Sequence, residues 1–243
     1  MIPNEIALPM YDLVPHATDA LAAALLRYFP HAHFTRPADL LAHWQHDGVL
    51  LSQACGYPLA TKLHDVQVVG CFHYTAPGCE GPNYRSLLVT RAENRSRTLA
   101  DFRGLTAACN ARDSQSGYRA LLTETGGDAV FFSHIVWSGS HRQSLAALQR
   151  EEADIAAIDC VTFALLARYQ PQALAGLTVI GKTTSTAGLP LITSRKTSAR
   201  GLNALRTALG EIAREEAIAG PLLIEGFSAI ERDSYAGFAQ ELF

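Results

Sequence analysis

Residues 104–160 decide the fold, because strand-like and helix-like segments alternate there. The segment 104–109 reads GLTAAC, a short apolar strand, and 112–122 reads RDSQSGYRALL, a hydroxyl-rich turn that opens a helix. The segment 131–137 reads FFSHIVW, a second strand, and it runs directly into SGSH at 138–141. A third strand, EADIAAID at 152–159, ends on a carboxylate. In two places, therefore, a predicted strand is followed by serine and glycine at the start of a predicted helix.

These two helix starts predict an anion-binding site. The N–H groups of a first helical turn have no acceptor within the helix, and the helix dipole places partial positive charge there. Two such starts aimed at one point would hold an oxyanion without lysine or arginine. The candidate ligand contacts are Ser114 and Ser116 at the first start, and Ser140 and His141 at the second.

Each candidate also has a purely structural interpretation. Serines commonly cap helices with no ligand present. A neutral His141 donating to an anion suits the positive end of a helix, and the alternative is a surface histidine. Asp159 stands at a strand end, where ligand contacts collect in open α/β sheets, and it is equally suited to cap a helix predicted at 160–169.

Composition excludes several classes of function. The chain has 243 residues, of which 48% are hydrophobic and 18% charged, and its formal net charge is -3. We expect no nucleic-acid partner, because no basic stripe appears. We also expect no direct membrane insertion, because no apolar run reaches the roughly 20 residues that span a bilayer. The first nine residues do not resemble a signal peptide, which predicts a cytoplasmic protein, or a periplasmic one whose leader was removed.

The cysteines predict neither a metal site nor a disulfide framework. Their number is odd and they show no CxxC spacing. We expect reduced thiols, most of them buried as small apolar groups, and no cofactor. The five positions are Cys55, Cys71, Cys79, Cys109 and Cys160.

Strands and helices alternate along the whole chain, which predicts an α/β fold with mostly parallel sheets. We expect strands at 66–74 and 222–224, a helix beginning at Thr18 or Asp19, and one long helix at 199–217. A last helix is expected at 234–242. Two lobes follow, residues 1–88 plus 190–243 and an inserted lobe 89–189, joined by two hinge crossings that allow closure around a ligand.

The ordered motifs resemble one known family. They are YRSLLV at 84–89, LADFRG at 99–104, SQSGY at 114–118, SGSH at 138–141 and ADIAAID at 153–159. Together they resemble the phosphate/phosphite/phosphonate substrate-binding proteins of ABC transporters, the PhnD-like members of the type 2 periplasmic-binding-protein fold. The resemblance covers roughly residues 49–195.

The resemblance implies a two-lobed binding protein with a small anionic ligand in its cleft and an ABC transporter permease as partner. Ser114, Gln115, Ser116 and His141 would hold the phosphonate-type oxygens, although the family commonly has a second hydroxyl where this chain has Gln115. Asp159 would contact the far end of the ligand. Candidate aromatic contacts from the first lobe are Tyr11, Tyr57 and Tyr74.

The leading interpretation is thus a solute-binding protein without catalytic residues. Two alternatives stay open. One is a cytoplasmic enzyme on the same fold, similar to menaquinone-pathway dehydratases or thiamine-precursor synthases, with Asp159 or His141 as acid or base. The other is a cytoplasmic sensor that signals ligand binding to a partner.

Overall fold

The computed structural model describes residues 3–239, which form an α/β protein. The strands are β1 Glu5–Ala7, β2 His33–Phe34, β3 Val49–Gln53, β4 Val66–Tyr74, β5 Asn83–Tyr84, β6 Ser86–Arg91, β7 Thr106–Cys109, β8 His134–Trp137, β9 Ile155–Asp159, β10 Leu177–Lys182, β11 Thr186–Ala187, β12 Pro190–Ser194 and β13 Ile224–Ser228. The α-helices are α1 Pro15–Tyr28, α2 Leu40–Trp44, α3 Gly56–Thr61, α4 Ala120–Glu124, α5 His141–Gln149, α6 Cys160–Tyr169, α7 Ala199–Ile212 and α8 Glu216–Ala219.

The described chain divides into two compact units. Unit 1 holds residues 3–75, 80–83 and 187–239, and unit 2 holds residues 76–79 and 84–186. The chain therefore leaves unit 1 within residues 75–84 and re-enters it after Thr186. The sequence had placed 84–88 in lobe 1, but Ser86–Arg91 forms a single strand of the unit 2 sheet, so the crossing comes earlier in the chain.

Unit 1 is built on a six-stranded mixed sheet with the order β13-β4-β12-β3-β1-β2. Strand β12 lies between β3 and β4 and runs antiparallel to both. Strand β3 is buried at every position, as expected of a strand covered on both faces. The helices α1 and α7 pack together, and Leu25, Leu205 and Leu209 are fully buried.

Residues close to the C-terminus complete the core of unit 1. A 3-10 helix, Arg232–Ala239, places the guanidinium of Arg232 against the carbonyls of Leu59, Leu63 and Val66, at 2.6–3.1 Å. Tyr235 is fully buried and donates its hydroxyl to the carbonyl of Gly188. Arg232 therefore ties together the end of α3, the loop after it and the start of β4.

Unit 2 is built on a five-stranded sheet with the order β10-β6-β9-β7-β8. Strands β7, β8 and β9 are parallel, whereas β6 and β10 run antiparallel to their neighbours. Its core includes Leu88, Phe102, Leu121 and Ile155. The small residues of β9 and β7, such as Ala107 and Ala156, let helices approach the sheet closely.

Several predicted elements have the expected bounds, and others do not. The strand 66–74 and the helix 160–169 are confirmed. The first helix begins at Pro15 instead of Thr18 or Asp19, because proline presets the backbone angle that a first helical turn needs. No helix among residues 3–239 is long and apolar enough to cross a membrane.

Differences also occur near the C-terminus. The predicted helix 199–217 is interrupted: α7 ends at Ile212 and α8 begins at Glu216, with tight turns between them. The strand predicted at 222–224 lies instead at Ile224–Ser228, because Leu222 belongs to a 3-10 turn and Leu223 is left-handed. The last predicted helix is a 3-10 helix over its described part, and residues 240–242 lie outside the described residues.

Candidate functional site

Three helix starts meet at one edge of the unit 2 sheet. Because β7, β8 and β9 are parallel, their carboxyl ends share that edge. A π-helical turn, Gln115–Arg119, follows β7 and continues into α4, while α5 follows β8 and α6 follows β9. Strand β6 runs the other way, so its first residue, Ser86, faces Asp159 at the end of β9. Polar residues from four segments are therefore gathered at this edge.

The first helix start is buried rather than exposed to solvent. Ser114 adopts an extended conformation, and its hydroxyl accepts a hydrogen bond from the Gly117 N–H at 3.0 Å. Ser114, Gln115 and Ser116 are each only 6–7% exposed. The carbonyl of Ser116 accepts a hydrogen bond from the hydroxyl of Ser86 at 2.8 Å. Ser114 is thus a helix cap, and the turn that it caps is held in place by the hydrogen bond from Ser86 of the neighbouring strand β6.

The second helix start is formed by a tight turn after β8. Gly139 has φ of 90°, a left-handed conformation that glycine adopts without steric cost. The exposed Ser140 caps α5 by accepting from the N–H of Gln143 at 3.2 Å. The hydroxyls of Ser138 and Ser144 lie 2.7 Å apart and join the turn to the body of the helix. The capping interpretation of Ser140 is confirmed, and its contact with a ligand stays a prediction.

A direct hydrogen bond joins the two helix starts. The hydroxyl oxygen of Ser116 lies 2.8 Å from Nε2 of His141. His141 keeps some exposed surface, but its Nδ1 is buried. Burial lowers the pKa of His141 to about 4, which outweighs the opposite effect of the Ala157 backbone. The imidazole is therefore neutral near pH 7, as an uncharged donor at the positive end of a helix should be.

Asp159 has a clear structural role. It is 2% exposed, and one of its carboxylate oxygens accepts hydrogen bonds from the N–H groups of Val161 at 2.8 Å and Thr162 at 3.0 Å. A buried carboxylate is stable there because it faces the first turn of α6, whose amides need acceptors. The helix-cap interpretation is confirmed. A contact between Asp159 and a ligand remains a prediction.

The three candidate tyrosines belong to unit 1. Tyr11 and Tyr74 are both buried, and their rings pack edge to face with centroids 5.2 Å apart. The hydroxyl of Tyr74 accepts from the side-chain amide of Gln53 at 3.0 Å. Both rings line a cavity of about 20 Å³ together with Leu8 and Gln53, which is room for about one water molecule. Tyr57 is partly buried in the first turn of α3.

Sequence reasoning missed three residues that support the unit 2 site. Ser86 is 2% exposed and holds the Ser116 carbonyl, while Thr183 accepts the Ser86 N–H and so fixes that strand start. The side chain of Asn110 lies against Gly117 so closely that a β-carbon there would overlap it. The signal for Ser86 was the antiparallel direction of β6, which places the start of β6, not its end, at the sheet edge where the three helix starts meet.

Comparisons with known proteins identify the family of this chain. Residues 40–235 match the family model described as "ABC transporter, phosphonate, periplasmic substrate-binding protein". The chain belongs to this family. A search of curated proteins found no match. Among residues 3–239, no group of three or more histidines, cysteines or carboxylates is placed to hold a metal ion.

Solved structures of distant relatives show the same fold. PA3383, a binding protein component of an ABC phosphonate transporter from Pseudomonas aeruginosa, has a TM-score of 0.77 at 17% identity and covers 96% of this chain and 83% of its own. PhnD1 from Prochlorococcus marinus, in complex with methylphosphonate, has 0.77 at 12% identity over 96% and 94%. XAC2383 from Xanthomonas citri, bound to ATP, has 0.73 at 13% identity over 100% and 98%. The fold of this family member is that of type 2 periplasmic binding proteins.

Proposed function

We propose that this chain binds a small phosphonate- or phosphate-like anion through the two joined helix starts of unit 2 and serves as the substrate-binding component of an ABC transporter. The observation that carries the proposal is the 2.8 Å hydrogen bond between Ser116 and His141. This bond brings one side chain from each turn together, which supports a shared site for the two turns. Family membership supplies the transport role.

The chemistry of the joined turns suits an anion with several oxygens. First-turn amides are donors, and a serine hydroxyl can rotate its proton toward an acceptor. A neutral imidazole has one N–H, which His141 would offer to an anion from Nε2 in exchange for its hydrogen bond to Ser116. Hydrogen bonds to a charged acceptor are about twice as strong as those between neutral groups. The burial of the 114–116 turn removes competing water, which strengthens each bond further.

Recognition without arginine or lysine has a consequence for selectivity. Charge alone would attract any anion, whereas fixed amides and hydroxyls discriminate by the geometry of the oxygens. We therefore propose a preference for tetrahedral phosphorus oxyanions over planar carboxylates. Gln115, Ser140 and Asp159 are further proposed contacts in unit 2, and Tyr11, Tyr57 and Tyr74 are the proposed contacts from unit 1.

The experiment is calorimetric titration with methylphosphonate, phosphite, phosphate, ATP and acetate. We expect at least one phosphorus oxyanion to bind and acetate not to bind. Ser116→Ala and His141→Ala should each weaken binding by about 10- to 100-fold, the value of one or two charge-assisted hydrogen bonds. Matched controls are Ser96→Ala and His134→Ala, both exposed in unit 2.

Two outcomes would count against the proposal. One is well-folded protein that binds none of the phosphorus oxyanions. The other is equal loss of affinity in the test and control variants. Recovery of the ligand after prolonged incubation distinguishes binding from catalysis: a binding protein returns methylphosphonate chemically unchanged, whereas conversion would favour the enzyme alternative.

A further inference from the structure

Two cysteines of unit 2 are in contact, although they are far apart in the sequence. The sulfur atoms of Cys79 and Cys160 lie 3.5 Å apart across a sequence separation of 81 residues. Cys160 is almost fully buried, whereas Cys79 keeps some exposed surface. Two further buried thiols are poor nucleophiles, because burial raises the pKa of Cys71 and Cys109 to about 12 and keeps them protonated.

The backbone on both sides of this contact is fixed. The N–H of Cys79 donates to the carbonyl of Ala76 at 2.9 Å, which closes a turn. The N–H of Cys160 donates to the carbonyl of Arg85 at 3.1 Å. A disulfide has its sulfurs about 2.05 Å apart, so these two sulfurs need to approach by about 1.5 Å from hydrogen-bonded backbone positions.

A glycine makes this approach possible. Gly78 has φ of 115°, and a β-carbon at this position would lie 3.2 Å from the β-carbon of Cys160 and 3.4 Å from its sulfur. Any larger residue would push the 76–79 turn away from the first residue of α6. The close packing of this turn on Cys160 is thus a property of the glycine that precedes Cys79.

We propose that Cys79 and Cys160 form a redox modification site that closes to an intramolecular disulfide when a disulfide-type oxidant is present. The thiolate of the accessible Cys79 attacks oxidised glutathione, giving a mixed disulfide and one glutathione thiolate. Cys160 then attacks the Cys79 sulfur and releases the second glutathione thiolate. The two cysteines lose two electrons and two protons, and one glutathione disulfide is reduced to two thiols.

The bond would fasten the 76–79 turn to the start of α6, next to the Asp159 cap. It would link two residues of unit 2 that are 81 positions apart in the chain, and long loops gain the most from cross-linking, because the unfolded chain loses more freedom. Oxidation should therefore stabilise unit 2 while leaving its sheet unchanged.

The test is oxidation of the full chain with oxidised glutathione, followed by intact-mass and peptide analysis. We expect a loss of about 2 Da, the mass of two hydrogens, and a linked peptide pair containing Cys79 and Cys160. Titration of the unfolded protein should then find three thiols in place of five. The melting temperature of the oxidised form should rise by about 5 °C or more.

Variants make the test specific. Cys79→Ser and Cys160→Ser should each abolish the mass loss, whereas Cys55→Ala should retain it. Glutathione adducts alone, a different cysteine pair, or five remaining thiols would overturn the proposal. None of these readouts depends on anion binding, so failure here is distinguishable from failure of the proposed function.

A matched glycine pair tests the packing argument. Gly78→Ala should slow disulfide closure by about tenfold, because the added methyl group meets Cys160. Gly81→Ala replaces another glycine of positive φ (56°) in the same stretch of chain, with nothing within 4 Å of its β-carbon, so it lacks the contact with Cys160. Equal rates in the two variants would show that the approach of the turn does not control the reaction.

Discussion

The sheet edge of unit 2 where the helix starts meet and the aromatic cavity of unit 1 are built from different interactions. In unit 2, hydroxyls, amides and a neutral imidazole are buried at helix starts, and Ser116 and His141 hydrogen-bond to each other. In unit 1, Tyr11 and Tyr74 pack ring against ring, and one amide satisfies a tyrosine hydroxyl. The first arrangement concentrates donors, whereas the second buries apolar surface. We therefore expect changes in unit 2 to alter anion affinity, and changes in unit 1 to alter mainly stability.

The largest expected effect is the pH dependence that His141 imposes on unit 2. Its folded pKa, about 4, lies below the ordinary value of 6.5, so the unfolded chain binds more protons between those values. Stability from this group is complete above pH 6.5 and is lost as the pH falls toward 4, by up to about 3 kcal/mol. Chemical denaturation at pH 7.5 and 4.5 should show this loss in the wild type and a smaller one in His141→Gln.

A parallel pH dependence in the His141→Gln variant would contradict this assignment. It would mean that other groups, and not the joined helix starts, dominate the acid response of the protein. The variant retains a side-chain donor and acceptor beside Ser116, so its stability at pH 7.5 serves as the internal reference.

A second large effect is expected from Gly117→Ala. The added β-carbon would overlap the Asn110 side chain, so either that side chain or the 114–118 turn must shift, which disturbs the turn that carries Ser116. Methylphosphonate affinity should fall by about 30-fold or more, the equivalent of about 2 kcal/mol. Titration calorimetry measures this, and Asn110→Ala combined with Gly117→Ala should recover part of the affinity.

Gly210→Ala is the matched control for this change. Gly210 lies inside α7, with nothing within 4 Å of an added β-carbon. Alanine there should stabilise unit 1 by about 0.5–1 kcal/mol and leave affinity unchanged. Loss of affinity in the control, or unchanged affinity in Gly117→Ala, would show that anion affinity does not depend on unit 2 more than on unit 1.

An intermediate effect is expected at Asp159, where two substitutions distinguish a contribution to protein stability from a contribution to ligand affinity. Asp159→Ala should cost about 1–2 kcal/mol of stability, because two N–H groups of α6 lose their acceptor. Asp159→Asn keeps a capping oxygen and should retain most of that stability. If its affinity nevertheless falls, Asp159 also contacts the ligand, and unchanged affinity would leave it as a cap alone. Thermal unfolding and calorimetry on the same samples decide between these outcomes.

The smallest effect is expected from Tyr74→Phe in unit 1. The change leaves the ring packing against Tyr11 in place and removes the acceptor for the Gln53 amide, at a cost of about 1 kcal/mol. Anion affinity should change less than in Ser116→Ala. An affinity loss as large as that of Ser116→Ala would show that the tyrosine hydroxyl is a principal ligand contact. Unit 1 would then contribute to anion affinity as much as unit 2.

Much of the unit 2 site could be predicted from the sequence, because its parts are local. A strand followed by serine and glycine before a helix specifies both the turn and its direction. This is why the sequence predicted that the turns of Ser116 and His141 point to one place, and the two side chains are in contact. Ser86 and Asn110 could not be found in the same way. Ser86 matters through the pairing of β6 with β9, about 70 residues later, and Asn110 matters through contact with one glycine.

Errors in the predicted elements have a similar origin. The long amphipathic pattern after residue 199 continues past Ile212, so periodicity alone could not locate the turns that separate α7 from α8. The start of α1 depended on Pro15, whose fixed backbone angle outweighed the capping preference of Thr18 and Asp19. Local backbone geometry, and not hydrophobic periodicity, decided these boundaries.

The position of β12 has a consequence for how the chain folds. Strand β12 fills the gap between β3 and β4, so the unit 1 sheet stays open until residues beyond 190 have been synthesised. Most of unit 2, residues 84–186, is continuous and can fold earlier. During biosynthesis the first 75 residues must wait, with exposed strand edges, for the last 50 or so. Chaperone dependence should therefore follow mutations in unit 1 more closely than those in unit 2.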